Sequence, residues 1–393
     1  MNNVKGFSFS GISCGIKKKG IKDLGLIFSS KECLAHAVFT KNKVIAAPLI
    51  VSKKILKKNK IKGVIVNSGN ANACTGKKGI ISAEKIINNA AKIKNLEFNN
   101  FFIPSTGIIG EQLDSKKIIN KIPELFSKLK PNNIKDFANS ILTTDKYIKI
   151  KSAKLKIGNE TGTILGIAKG AGMIHPNMAT MLCYLVTDIK FEKKTFINFI
   201  NNATDKTFNA ISVDGDTSTN DTVLGLSNGF INNSPIKSNT KIGNQLYKEI
   251  EKIFYYLASS IVKDGEGSTK FCKVTVKGTQ TIIDAKKVCE KICTSLLFKT
   301  ALFGSDPNWG RIIASVGATG LKYIDQSKID IKINKNNVVK KGIGCKLTNK
   351  INMSMKKKQI YLEINLNKGS KESTMFTNDI GHEYIKINSL YRT

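Results

Sequence analysis

Two hydrophobic periods run through this chain, and together they restrict what it can fold into. Apolar and polar residues alternate from Lys273 ("KVTVKG"), from Lys328 ("KIDIKIN") and from Gln359 ("QIYLEINLN"), where Ile360, Leu362, Ile364 and Leu366 share one face of a half-buried strand. Elsewhere Leu246, Ile250, Ile253, Phe254, Leu257 and Ile261 recur at helical spacing, as do Phe196, Phe199, Ile200 and Ala203. Strands mixed with amphipathic helices predict an α/β (mixed α+β) protein. With 393 residues, 41% of them hydrophobic, the chain has material for a large core in two or three lobes. Neither an internal repeat nor a Pro- or Ser-rich linker marks a boundary between them.

Residues 169–188, "KGAGMIHPNMATMLCYLVTD", combine a flexible, kinked approach with an apolar run. Met181 to Val186 reads as a core strand, and threonine is an ordinary residue at a strand start. Thr180 nevertheless stands at the threshold of that strand behind two glycines and a proline, which poses the question of what it does there.

The formal charge of +34 raises nucleic-acid or anionic-membrane binding as a function class. Of the 63 lysines and arginines, however, only Arg311 and Arg392 are arginine. Arginine supplies the bidentate contacts that read bases and phosphates, and the lysines are scattered from end to end. A codon bias toward A and T accounts for that composition without a partner. Eight cysteines show no framework spacing, and Cys289 and Cys293, four apart in a helical-looking segment, read as one buried face of a helix. Reduced, buried thiols fit the cytosol. The start lacks a signal-peptide apolar stretch, and no apolar run reaches the roughly 18 residues that span a bilayer, so a soluble cytoplasmic protein is expected.

Four polar, glycine-studded segments could carry chemistry: residues 66–76 ("VNSGNANACTG"), 103–110 ("IPSTGIIG"), 212–222 ("SVDGDTSTNDT") and 263–271 ("KDGEGSTKF"). Glycine lets backbone approach a ligand closely, and small polar side chains supply donors and acceptors. A calcium loop starting at Asp214 fails, because Thr219 and Gly225 stand where glycine and glutamate are needed. "GEGSTK" lacks phosphate-loop spacing. With only His36, His175 and His382, no Ser/His/Asp arrangement persuades, and His175 serves a turn or cap as readily as base catalysis. A threonine freed as a chain N-terminus can instead use its own α-amine as base.

The segments "FTKNKVIAAPLIVS", "NSGNANACTG", "PSTG", "KGAGMIHPNMATML", "SVDGDTSTNDT", "KDGEGSTK", "SDPNWGRI" and "GHEYIKINSLYRT" occur in that order along the whole chain. In them the sequence resembles the glutamate N-acetyltransferase/ornithine acetyltransferase family of arginine biosynthesis. The resemblance implies an N-terminal-nucleophile-type transferase, made as a precursor that cuts itself between Ala179 and Thr180. The products would be an α chain (1–179) and a β chain (180–393), associated as a heterotetramer of two α and two β chains. Thr180 would be the nucleophile, carrying acetyl from N-acetylornithine to glutamate in a ping-pong cycle.

Carried over residue by residue, Thr106 and Gly107 match the oxyanion-hole positions. Lys169, Thr143, Asn388 and Thr393 match substrate-binding residues, with Thr144 the alternative to Thr143 if the register is shifted by one. Glu266 matches an acid that both binds and assists proton transfer. The resemblance requires no metal and no bound cofactor, and it leaves open acetyl-CoA as a second acetyl donor. Two departures are visible: Ala171 replaces a serine common after "KG", and Arg392 enters the usual C-terminal ending. The competing readings are an N-terminal-nucleophile amidase or aminopeptidase, which would pass the acyl group to water, and a basic nucleic-acid-binding protein, which the scarcity of arginine disfavours.

Overall fold

In the computed structural model, which describes residues 2–175 and 181–390, the two periodicities assemble into a pair of sheets with helices packed on them. The N-terminal half supplies strands β1 (Phe7–Ile12), β2 (Leu24–Phe39), β3 (Ile61–Asn70), β4 (Phe101–Phe102), β5 (Ser105–Ile108), β6 (Lys149–Ile157) and β7 (Glu160–Lys169). Its helices are α1 (Ala47–Leu56), α2 (Gly76–Lys94), α3 (Ser115–Ser127) and α4 (Ile134–Ser140). Beyond residue 180 come β8 (Leu182–Thr187), α5 (Lys193–Lys206), β9 (Ile211–Ser212), β10 (Thr222–Ser227), α6 (Lys241–Lys263), β11 (Phe271–Thr279) and α7 (Ile282–Cys293). The chain continues through α8 (Leu296–Phe303), α9 (Trp309–Gly317), β12 (Asp330–Ile333), β13 (Asn336–Lys340), β14 (Ile343–Gly344), α10 (Asn349–Met355), β15 (Gln359–Asn365), β16 (Lys371–Asn378) and α11 (His382–Leu390).

The first sheet runs β4-β3-β2-β10-β8-β7-β6, with β1 paired to β2 and β5 to β3. The second runs β14-β13-β12-β15-β11-β16-β9. The apolar run after Met181 is β8, antiparallel to β7 and parallel to β10. It lacks polar alternation because both of its faces are covered. Leu182, Tyr184 and Val186 join the core beneath α2, α3 and α4, whereas Cys183 and Leu185 join the core shared with α5 and α6. A third core fills the space between the second sheet and α7, α8, α9 and α10. Two strands from beyond residue 180 thus sit between β2 and β7, which precede it, so the two segments interleave in one sheet.

The helical spacings become α5 and α6, with the expected residues buried. Thr240 starts α6 by accepting a hydrogen bond from the Gly243 amide. Cys289 and Cys293 lie on the buried face of α7, as their spacing predicts. All eight cysteines are free, six of them buried, and burial pushes the Cys33 thiol up to about 12. The segment from Lys328 differs in detail from its alternating pattern. A short turn capped by Asp325, whose carboxylate accepts from the Ser327 amide, occupies its first residue and delays the strand to Asp330. Among the described residues, no helix is long and apolar enough to cross a membrane.

Tyr184 shows how tightly β8 is held. Its ring packs edge-on against Phe137 at 5.4 Å, yet its buried hydroxyl finds no hydrogen-bond partner among the described residues. Tyr184→Ala should therefore cost about 3–5 kcal/mol through cavity formation, whereas Tyr184→Phe removes an unpaired polar atom and should leave stability unchanged or raised. Paired urea melts check this, and a strongly destabilised Tyr184→Phe would contradict it.

Candidate active site

The site is built where the strand ends of the first sheet meet loops from the second half of the chain. Strand β7 ends on Lys169, whose register partner is Leu182, the first residue of β8. On the other side Leu182 pairs with Thr222 of β10. Just before that strand, the buried carboxylate of Asp221 accepts the Met181 amide at 3.0 Å. The position after Thr180 is therefore held by strand pairing and by a carboxylate. Thr180 itself lies outside the described residues, as do Ala179 and Thr393.

Strand β5 brings up the second wall. Thr106 and Gly107 lie beside Ser68 and Gly69 of β3. Gly107 has φ +132, and a Cβ there would overlap the backbone of Gly69 and Asn70, so only glycine fits this approach. The Asn220 amide bridges the Ala71 carbonyl at 2.7 Å and the Ser105 carbonyl at 2.9 Å, tying the loop before β10 to this wall.

Between the walls lies a cleft, partly open to solvent, lined by Thr106, Gly107, Thr143, Thr144, Lys169, Glu266, Asn388 and Tyr384 among others. Lys169 is 1% exposed, and its ammonium donates to Thr106 Oγ1 at 3.0 Å and to Thr143 Oγ1 at 2.9 Å. Burial lowers its pKa, against the opposing pull of Asp145. Glu266 is also buried; its amide donates to the Ala171 carbonyl, and its Oε2 accepts from Asn388 Nδ2 at 2.8 Å. A Cβ on Gly172 would collide with the Glu266 carboxylate, so that glycine makes room for the acid.

Two anchors fix the chain ahead of residue 176. Asp214 accepts from the Met173 and Ile174 amides at 2.6 and 2.8 Å, and burial raises its pKa to about 6 against those hydrogen bonds. His175 pairs with Glu290 at 3.1 Å, and the imidazole holds the glutamate pKa below its usual value.

The described residues carried over as site residues, Thr106, Gly107, Thr143, Lys169, Glu266 and Asn388, thus line one cleft. Thr143 and Thr144 both line it, and it is Thr143 whose hydroxyl meets Lys169. Several supporting groups are absent from the sequence reading: Asp221, Asn220, Asp145, Lys149 and Tyr384. Asp221 and Asn220 lie within "SVDGDTSTNDT" and Asp145 closes "LTTD", so their segments carry a signal even though their roles do not. Lys149 opens the lysine-rich strand "KIKSAKLKI" and looks there like a solvated residue. Its burial follows only from the tertiary fold.

The ArgJ family model matches residues 8–393. A protein of Caldanaerobacter subterraneus subsp. tengcongensis called arginine biosynthesis bifunctional protein ArgJ is 39% identical over 99% of this chain and 97% of its own length. One of the same name from Thermotoga neapolitana is 40% identical over 99% of each. The crystal structure of arginine biosynthesis bifunctional protein ArgJ from Bacillus halodurans superposes with a TM-score of 0.51 at 31% identity, covering 53% of this chain and 98% of that one. With similarity running from end to end and the motif residues gathered around one cleft, the chain belongs to the ArgJ family.

Proposed function

We propose that the chain is a glutamate N-acetyltransferase (ornithine acetyltransferase) of arginine biosynthesis, working through Thr180 after cleavage at Ala179–Thr180. The observation that carries the reading is the buried Lys169 ammonium, held between Thr106 and Thr143 in a cleft it shares with Glu266. A hidden cation with two neutral hydroxyl partners suits an anionic ligand group.

In the precursor, the Thr180 hydroxyl attacks the Ala179 carbonyl, the acyl group moves from nitrogen to oxygen, and water hydrolyses the ester. The freed α-amine then takes the hydroxyl proton as Thr180 attacks the acetyl carbonyl of N-acetylornithine. Thr106 Oγ1 already accepts from Lys169, so its O–H hydrogen is free to donate to the developing oxyanion beside the Gly107 N–H. Collapse of the tetrahedral intermediate returns the proton to the departing ornithine amine and leaves acetyl-Thr180. The glutamate amine attacks this ester, releasing N-acetylglutamate and the threonine hydroxyl. Both substrates carry an α-carboxylate for Lys169, while Glu266, steadied by Asn388, meets the amine and assists its proton transfer. Thr393 is proposed, with Asn388, as a substrate-binding residue.

Because β8 and β10 lie between β2 and β7, the α and β products of cleavage remain in one sheet, and a heterotetramer of two of each is the proposed assembly. The cycle uses no bound cofactor. Acetyl-CoA is a second donor to the same threonine, consistent with the bifunctional name of the relatives, and the cytoplasm is the proposed location.

Thr180→Ala should remain one uncleaved chain without transferase activity, since both steps use one hydroxyl; normal cleavage of that variant on a denaturing gel would refute the assignment. Ornithine release from N-acetylornithine should accelerate strongly with glutamate and give parallel-line kinetics. Release indifferent to glutamate would point to an amidase. Lys169→Ala should raise KM for both amino-acid substrates, and Glu266→Gln should lower kcat by about 10²–10⁴. Steady-state kinetics alongside melting temperatures checks both, and wild-type kinetics in either variant would remove that residue's role.

A further inference from the structure

Behind the cleft lies a fully buried cluster of charge that the proposed chemistry does not use. Lys149 opens β6 in register with Ala168, next to Lys169, and its ammonium is completely hidden. It donates to Asp145 Oδ1 at 2.7 Å and to Asp264 Oδ2 at 2.5 Å, and both carboxylates are equally hidden. A third contact goes to the Tyr147 carbonyl at 3.3 Å.

Each carboxylate holds one arm of the site. Asp145 Oδ1 accepts the Gly170 amide at 2.6 Å, and its Oδ2 accepts the Thr143 amide at 3.1 Å. These two amides flank Lys169 and the hydroxyl that Lys169 grips. Asp264 accepts the Lys146 amide with both oxygens, and it lies two residues before Glu266, where α6 ends. Burial alone would raise Asp145, but Lys149, Lys169 and the Gly170 amide outweigh it and hold the carboxyl down at about 2. Replacing a buried ion cluster by apolar side chains of similar volume is often neutral or stabilising, so stability alone does not account for such a cluster. What apolar side chains cannot supply is a set of directed bonds to the backbone on both sides of the cleft.

We infer that Lys149 is a positioning residue of the acetyl transfer, joining the Thr143/Lys169 arm to the Asp264–Glu266 arm and so setting the spacing at which carboxylate and amine are held. The inference rests on the transferase reading above. It requires no step at Lys149 itself, which touches neither the cleft's lining hydroxyls nor Glu266.

The test separates geometry from folding. Lys149→Met alone strands two buried carboxylates and is expected to lower the melting temperature sharply. Lys149→Met/Asp264→Asn removes one charge of each sign, leaves Asp145 with its amide donors and should melt near the wild type. Its kcat should nevertheless fall by about 10²-fold, the scale on which small misplacements act, with a smaller change in KM, and Lys149→Arg should fall between. A double variant with wild-type kcat would overturn the inference, as would one that cannot fold, which would assign Lys149 to stability alone. Wild-type enzyme that transfers no acetyl would instead remove the functional reading and leave the positioning claim without a reaction to act on.

Discussion

The pairing of β8 on both edges and its burial on both faces is the constraint from which the rest of the structure follows. A strand with no solvent face cannot slip in register without moving every one of its side chains to the wrong core. Its first residue is therefore located by Lys169 on one side and Thr222 on the other, with Asp221 holding the Met181 amide. Because the strand belongs to the segment after residue 180 while β2 and β7 precede it, cutting the chain at Ala179–Thr180 would leave the sheet intact.

Around the start of β8 the protein hides charge instead of exposing it. Lys169, Lys149, Asp145, Asp264, Asp221 and Glu266 are withdrawn from solvent, in a chain whose other lysines are mostly displayed on the surface. Buried ions need directed partners, and here the partners are hydroxyls, amides and one another. The interior that results is ordered more than it is stabilised. Such an environment suits a reaction in which opposite charges develop on an oxyanion and an amine, because dipoles already in place need little reorganisation.

The fold was legible where periodicity is strong. The spacing from Leu246 to Ile261 becomes α6, and the alternation from Gln359 becomes β15, since each pattern matches one buried face. The segment from Lys328 was less legible, because a side-chain cap at Asp325 competes with strand formation. Nothing local reveals that β12 and β11 both flank β15, or that β8 lies between β7 and β10, because pairing between distant strands leaves no mark in either sequence. At the site, glycine-studded segments were visible as unusual, and motif order told which of their residues to choose. Lys149 escaped because its neighbours alternate like a solvated strand, and only the approach of Asp264, 115 positions away, makes its burial possible.

The most direct test of the central claim, that Thr180 carries the acetyl group, is intact-mass analysis of enzyme quenched during turnover. With N-acetylornithine and no glutamate, the fragment beginning at Thr180 should gain the mass of one acetyl group, located on that residue by peptide sequencing and discharged when glutamate is added. A chain that turns over substrate while remaining uncut, or an acetyl group located on another residue, would contradict the account.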